Sequence, residues 1–115
     1  MSFAFSIYLN GVTVFQYLPE GTGKCHAEWM RKKINTVMTM GMSTMRLWAL
    51  GDMLGKKRVP SFLPADDIVE CGGGFPIKVN SAGLIGAIAC SGPGDQNDHE
   101  FCLEVMKRYT EKTAQ

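Results

Sequence analysis

A chain of 115 residues builds a single domain around one core, burying roughly 65% of the surface that its unfolded form exposes. Twelve Lys and Arg against eleven Asp and Glu, a formal net charge of +1, argue against the broad electrostatic footprint of a nucleic-acid binder or a polybasic membrane anchor. No apolar run approaches the roughly 20 residues that span a bilayer, and no basic segment leads into an apolar stretch with a small-residue cleavage site, so a cytoplasmic protein is expected.

The opening FAFSIYLNGVTVFQYL reads as a hairpin. Asn10-Gly11 supplies the two positive-φ residues of a type I′ turn between two alternating runs. A two-residue loop pairs Leu9 with Val12, Ile7 with Val14 and Phe5 with Gln16. Phe3, Phe5, Ile7, Leu9, Val12, Val14 and Leu18 then share one face, expected to be core. Ala4, Ser6, Tyr8, Thr13, Phe15 and Tyr17 fall on the other, which is too aromatic for a plain solvent surface and calls for a covering helix or a partner.

After a turn at Pro19 to Gly23, Trp29, Met30, Ile34, Val37 and Met38 recur at helical spacing, with Glu28, Arg31, Lys32 and Asn35 largely opposite them. Gly41 ends this helix, and Ser43 caps a shorter one through Met45, Trp48 and Leu50 that stops at Gly51. Gly51 to Pro64 is a basic, proline-containing loop, and Pro64 opens at most a turn or two of helix between Asp66 and Glu70. Phe75 to Asn80 reads as a strand, and Asn80 to Gly83 turns into Leu84 to Ser91. Every residue of that last run is apolar or small, so it belongs in the middle of a sheet covered on both sides. Ser91-Gly92-Pro93-Gly94 breaks the strand. Asp95, Asn97 or Asp98 caps a final helix with the stripe Phe101, Cys102, Val105, Met106 and Tyr109, and the tail after Thr110 frays.

No motif names a reaction. Cys25, Cys71, Cys90 and Cys102 are too scattered for a zinc ribbon or a redox pair and read as reduced, structural thiols. Gly21-Thr22-Gly23-Lys24 lacks the upstream glycine of a phosphate loop, since that position is Leu18. Gly72-Gly73-Gly74 does not precede a helix. It is either a loop needing unusual φ values or a place where a ligand or a neighbouring subunit reaches the backbone. His26 and His99 stand at helix starts without a third metal ligand. The methionines between Met30 and Met53 fill a helix core or line an adaptable pocket. The clusters Arg31-Lys32-Lys33 and Lys56-Lys57-Arg58 read as solvated faces. Neither a catalytic nor a metal site is expected.

Several segments together resemble the haem-degrading domain family, the HbpS-like and PduO-C-terminal-like proteins, over nearly the whole chain. Trp29, Lys33, Thr36 and Val37 match one motif of its small cytosolic branch, Gly72, Gly73, Phe75, Pro76 and Ile77 a second, and Gly83, Gly86, Ser91, Gly92, Asp98 and His99 a third. Met42 stands where that branch usually has His, and Gly74 where it has Ser. Residues 1–115 also start directly in a strand, where family members usually begin with a helix. The resemblance implies a profilin-like α/β (α+β) sandwich, a mostly antiparallel sheet flanked by helices, that assembles into homo-oligomers. It implies a non-catalytic domain for a small apolar or tetrapyrrole-like ligand, haem being the candidate cofactor, with Met42, Ser43, Gly72, Gly73, Gly74, Phe75 and His99 as contacts. The alternatives are an adaptor module that recruits other proteins and a haem-degrading enzyme.

Overall fold

The computed structural model describes residues 3–92 and 94–113, without the side chains of residues 95, 96 and 109–113. Pro93 of the strand break and the side chains of Asp95 and Tyr109 therefore lie outside the described residues, whereas two expectations are corrected: the last helix begins at Asp95 with Asp98 N on the Gly94 carbonyl, so Asn97 and Asp98 stand in its first turn rather than capping it, and it runs on past Thr110 to Thr113. The elements run β1 (Ala4–Leu9), β2 (Val12–Tyr17), α1 (Lys24–Met40), α2 (Thr44–Leu54), a short 3-10 turn (Ala65–Asp67), β3 (Gly74–Val79), β4 (Gly83–Ser91) and α3 (Asp95–Thr113). The four strands form an antiparallel sheet in the order β2-β1-β4-β3. Its two faces are covered by different helices, giving the α+β sandwich expected from the sequence.

Strand alternation divides the apolar residues between two cores. Ala4 of β1 and Ala87 and Ala89 of β4 meet Met30, Ile34 and Val37 of α1, with Tyr8 and Met38 at the margin. On the other face Ile88 and Cys90 meet Cys102 of α3, with Phe5, Ile7, Phe75 and Phe101 packed around them. Small residues at Ala87 and Ala89 let α1 lie close to the sheet, and Gly86 does the same within it. A Cβ at Gly86 would collide with the Tyr8 carbonyl of the neighbouring strand. Gly86 to Ser91 are all buried, as a central strand requires.

The hairpin departs from its expected register. Asn10 and Gly11 have φ of 51° and 91° and Leu9 pairs with Val12, as a type I′ turn dictates. Beyond Tyr8↔Thr13, however, Ile7 pairs with Phe15 and Phe5 with Tyr17. Val14 is the extra residue of a bulge, and one inserted residue moves everything after it to the opposite face. Phe15 and Tyr17 thus join the Phe5 side and lie beside α3, while Ala4, Ser6 and Tyr8 lie under α1. The single core face read from the sequence is corrected: both faces of β1 are covered, whereas β2 is exposed along its whole length.

Helices α1 and α2 follow their punctuation with one exception. Gly41 ends α1 at φ 75° with its N–H on the Val37 carbonyl, and the Ser43 hydroxyl accepts from Arg46 N at 3.1 Å. Helix α2 runs through Gly51 to a left-handed Gly55, because an interior glycine costs only about 1 kcal/mol and the chain folds back so that Lys56 N donates to Gly51 O. Trp29, assigned to the apolar stripe, is 44% exposed; Lys33, assigned to a solvated face, takes a buried position on the stripe instead.

Candidate functional site

Gly72, Gly73 and Gly74 lie buried at the entrance to β3. Gly73 has φ of 117°, a conformation that side chains disfavour, and its carbonyl accepts from Cys90 N at 2.8 Å. A Cβ there would stand 2.6 Å from both Cys90 O and Lys33 Nζ and 2.9 Å from Asp98 Cβ. At Gly74 a Cβ would sit 3.0 Å from Lys33 O, Thr44 Cγ2 and Val37 Cγ2, and the Gly74 N–H donates to Thr44 Oγ1 at 2.9 Å. What comes close to this backbone is the chain itself, from α1, α2 and α3.

The centre of that junction is an ion pair. Lys33 Nζ lies 3.1 Å from Asp98 Oδ2, with side chains 3% and 4% exposed, and donates to the Cys90 carbonyl at 2.7 Å. A charge so buried is tolerated only with a partner and further hydrogen bonds, and here one ammonium ties α1 to β4 and to the first turn of α3. The Cys90 thiol lies 3.9 Å from Asp98 Oδ1, and the Cys102 thiol donates to Gly73 O at 3.4 Å. Burial pushes the Cys90 thiol far up and Cys102 up to about 12, so neither forms the nucleophilic thiolate at neutral pH. Cys25, Cys90 and Cys102 are free thiols.

Asp98 places His99 on the adjacent position of α3. The His99 ring centroid is 6.1 Å from that of Phe75, and its Nδ1 is buried without a hydrogen-bond partner among the described residues. Burial pushes its pKa below the ordinary value, partly offset by Glu100, which favours a neutral imidazole. His26 is engaged elsewhere, its Nδ1 accepting from Gly23 N at 3.1 Å at the start of α1.

The sequence candidates other than Met42 are linked in series. Ser43 caps α2 beside Thr44, Thr44 holds Gly74, Gly74 leads into Phe75, and Phe75 faces His99. Met42 is half-buried in the link between α1 and α2. Met30 and Met38 serve the α1 core, whereas Met53 is 72% exposed. Lys33, Thr44 and Cys90 escaped the sequence reading as site residues, and the signal for Lys33 was present: it falls on the stripe of Met30, Ile34 and Val37. Among the described residues no group of three or more His, Cys, Asp and Glu is placed to hold a metal ion, and no helix is long and apolar enough to cross a membrane. A separate apolar groove of about 380 Å³, lined by Phe3, Phe5, Phe15, Tyr17, Phe101 and Val105, opens between β2 and α3.

Comparison with known proteins agrees with this architecture. A family model described as haem-degrading protein, HbpS-like, matches residues 1–107. A UPF0303 protein of Yersinia enterocolitica is 34% identical over 110 residues, covering 92% of this chain and 64% of that protein. One of Brucella melitensis is 32% identical over 110 residues, covering 95% and 65%. The chain thus spans just under two thirds of the length of these relatives. Among solved structures, the Ybr137w protein superposes with a TM-score of 0.84 at 18% identity, over 98% of this chain and 66% of its own. HbpS gives 0.67 at 19% identity, over 87% and 68%. A complex of PduOC with haem gives 0.65 at 20%, over 88% and 73%. At these identities the structural likeness is one of fold.

Proposed function

From the premise that this chain belongs to the HbpS-like haem-degrading family, we propose that it is a non-catalytic, self-associating cytoplasmic domain that binds a small apolar or tetrapyrrole-like ligand. The ligand lies against Phe75 and His99, with Met42 as a further contact, while Ser43 and the Gly72–Gly74 loop, themselves packed against α1, α2 and α3, hold Phe75 in place behind it. The observation that carries this reading is the His99 imidazole, which pairs a buried, unpartnered nitrogen with an aromatic neighbour. A neutral imidazole is a ligand for haem iron, and Met42 adds a thioether of the kind that also serves there. Haem, when bound, would supply the iron to which the imidazole coordinates. The fit favours holding over turnover, because the adjacent acid and base, Asp98 and Lys33, neutralise one another inside the protein and the neighbouring thiols are held protonated. Free thiols at Cys25, Cys90 and Cys102 suit a reducing compartment, and the haem held by PduOC, a protein of the same fold, supports haem as the probe.

Haem titration followed by absorbance tests the reading. A single imidazole without an orienting partner holds iron weakly, so the expected result is a modest, saturable Soret change at one haem per subunit. His99→Ala should abolish it, Met42→Ala weaken it and His26→Ala leave it intact. Loss of the Soret band on adding a reductant and oxygen, with product release, would instead establish the haem-degrading enzyme. Absence of any saturable change would overturn the ligand reading.

A further inference from the structure

A second cavity, sharing no residue with the His99 region, lies between α1 and the α1-facing side of the hairpin. It is a cleft of about 450 Å³, within the range of roughly 300–1,000 Å³ typical of small-molecule sites. Its origin is the offset between layers: α1 packs over β1 and β4, so β2 extends past the helix and leaves a trough between them. Ser6 and Tyr8 of β1 form the floor, Thr13 and Gln16 of β2 one wall, and Ile34 and Met38 of α1 part of the other.

The polar groups in this cleft divide into two kinds. The charged ones are engaged with each other. Arg31 Nε meets Glu28 at 3.1 Å, its Nη1 meets Asp67 at 3.0 Å, and its Nη2 reaches the Asp66 carbonyl at 3.4 Å. An anionic ligand would have to displace these carboxylates, and a cationic one would have to displace the guanidinium. Of the neutral ones, Asn35 donates to the Asp67 carbonyl at 2.9 Å, which leaves Ser6, Tyr8, Thr13 and Gln16 facing the cleft. Ser6 is only 1% exposed and lines the cleft floor, where its hydroxyl is able both to donate and to accept. Tyr8, half-buried beside it, adds a ring face and a second hydroxyl, and Thr13 and Gln16 add further groups able both to donate and to accept.

We propose that this cleft is a binding site for an uncharged, polyhydroxylated ring of about monosaccharide size, hydrogen-bonded by Ser6, Thr13 and Gln16 with its apolar face on Tyr8 and Met38. Neutral groups that donate and accept suit hydroxyls, which do the same. The aromatic and thioether surfaces suit the C–H face of such a ring, and the tied charges at the rim reject ions of either sign.

Heteronuclear NMR titration with methyl glucoside and with myo-inositol tests the site, with benzoate and benzylamine as charged counterparts of similar size. The expected result is a saturable shift with at least one polyol, confined to the backbone around Ser6–Tyr8, Thr13–Gln16 and Arg31–Met38, and none there with either ion. Gln16→Ala, on an exposed strand, should retain the wild-type spectrum elsewhere and weaken binding about tenfold, the scale of one lost hydrogen bond; Ser6→Ala should do the same. No saturable shift with either polyol, a shift unaffected by both variants, or preferential binding of benzoate or benzylamine would overturn the proposal. Neither substitution should alter the haem titration, which keeps the two sites separable.

Discussion

Lys33 and Asp98 decide how the three layers meet. Each is almost wholly buried and each is the other's charge partner at 3.1 Å, so the pair is worth less than its loss is costly. Lys33→Met leaves the Asp98 carboxylate in the interior without its ammonium partner, and should destabilise the protein by about 3–5 kcal/mol. Removing both charges in Lys33→Met/Asp98→Leu should recover most of that, measured as a double-mutant cycle on urea midpoints; additive losses would show that the two charges do not act as a pair. One position along α3, His99 couples stability to pH. Its folded pKa lies below its ordinary 6.5 because of burial, so the unfolded chain takes up a proton that the folded chain resists. The stability attached to His99 is complete above the unfolded value, declines as pH falls through 6.5 and is lost below the folded one. Urea midpoints at about pH 7.5 and about pH 5.5 should therefore fall more in wild type than in His99→Gln; equal falls would place the imidazole in solvent.

At the scale of elements, what the sequence discloses depends on how local its cause is. The Asn10-Gly11 turn, the Gly41 stop, the Ser43 cap and the all-small β4 run are set by a few adjacent residues, and each is found where the pattern puts it. The bulge at Val14 is not of this kind. It serves a β1 strand covered by α1 on one side and α3 on the other, a circumstance that alternation within the hairpin does not encode. Lys33 was hidden for a related reason: a run of three basic residues looks solvated, although helical periodicity turns its members to different faces. Family motifs placed Lys33, Gly73 and Asp98 in separate matches, and only the fold brings them together. The central-strand assignment carries its own test. Gly86→Leu would drive its side chain against the Tyr8 carbonyl and Leu9, and should cost about 1–3 kcal/mol or more through overpacking. An unchanged urea midpoint would remove Gly86 from the middle of the sheet.

At the scale of the whole molecule, the sheet ends in a strand that is exposed along its whole length. Val12, Val14, Phe15 and Tyr17 of β2 are each at least half exposed, at 58%, 52%, 50% and 56%, and β2 contains neither a charge nor a proline to discourage pairing along its edge. Because the bulge turns Phe15 and Tyr17 toward α3, they extend the aromatic wall of Phe3, Phe5 and Phe101 into one continuous apolar groove. With the hairpin corrected, the surface expected to self-associate moves from the α1 side, where Ala4 is already buried, to the margin between β2 and α3. A contiguous apolar surface on a chain this small favours burial against a second copy, and two-fold pairing of identical surfaces is the commonest way to achieve it. Light scattering at micromolar concentration should give at least twice the 12.6 kDa of one chain. Tyr17→Lys, which places a charge in the groove while leaving both cores untouched, should shift the mass toward the monomer without lowering the urea midpoint of the separated subunit. A wild-type mass of 12.6 kDa would show that the exposed strand does not hold copies together, and an oligomer indifferent to Tyr17→Lys would assign the contact to another face.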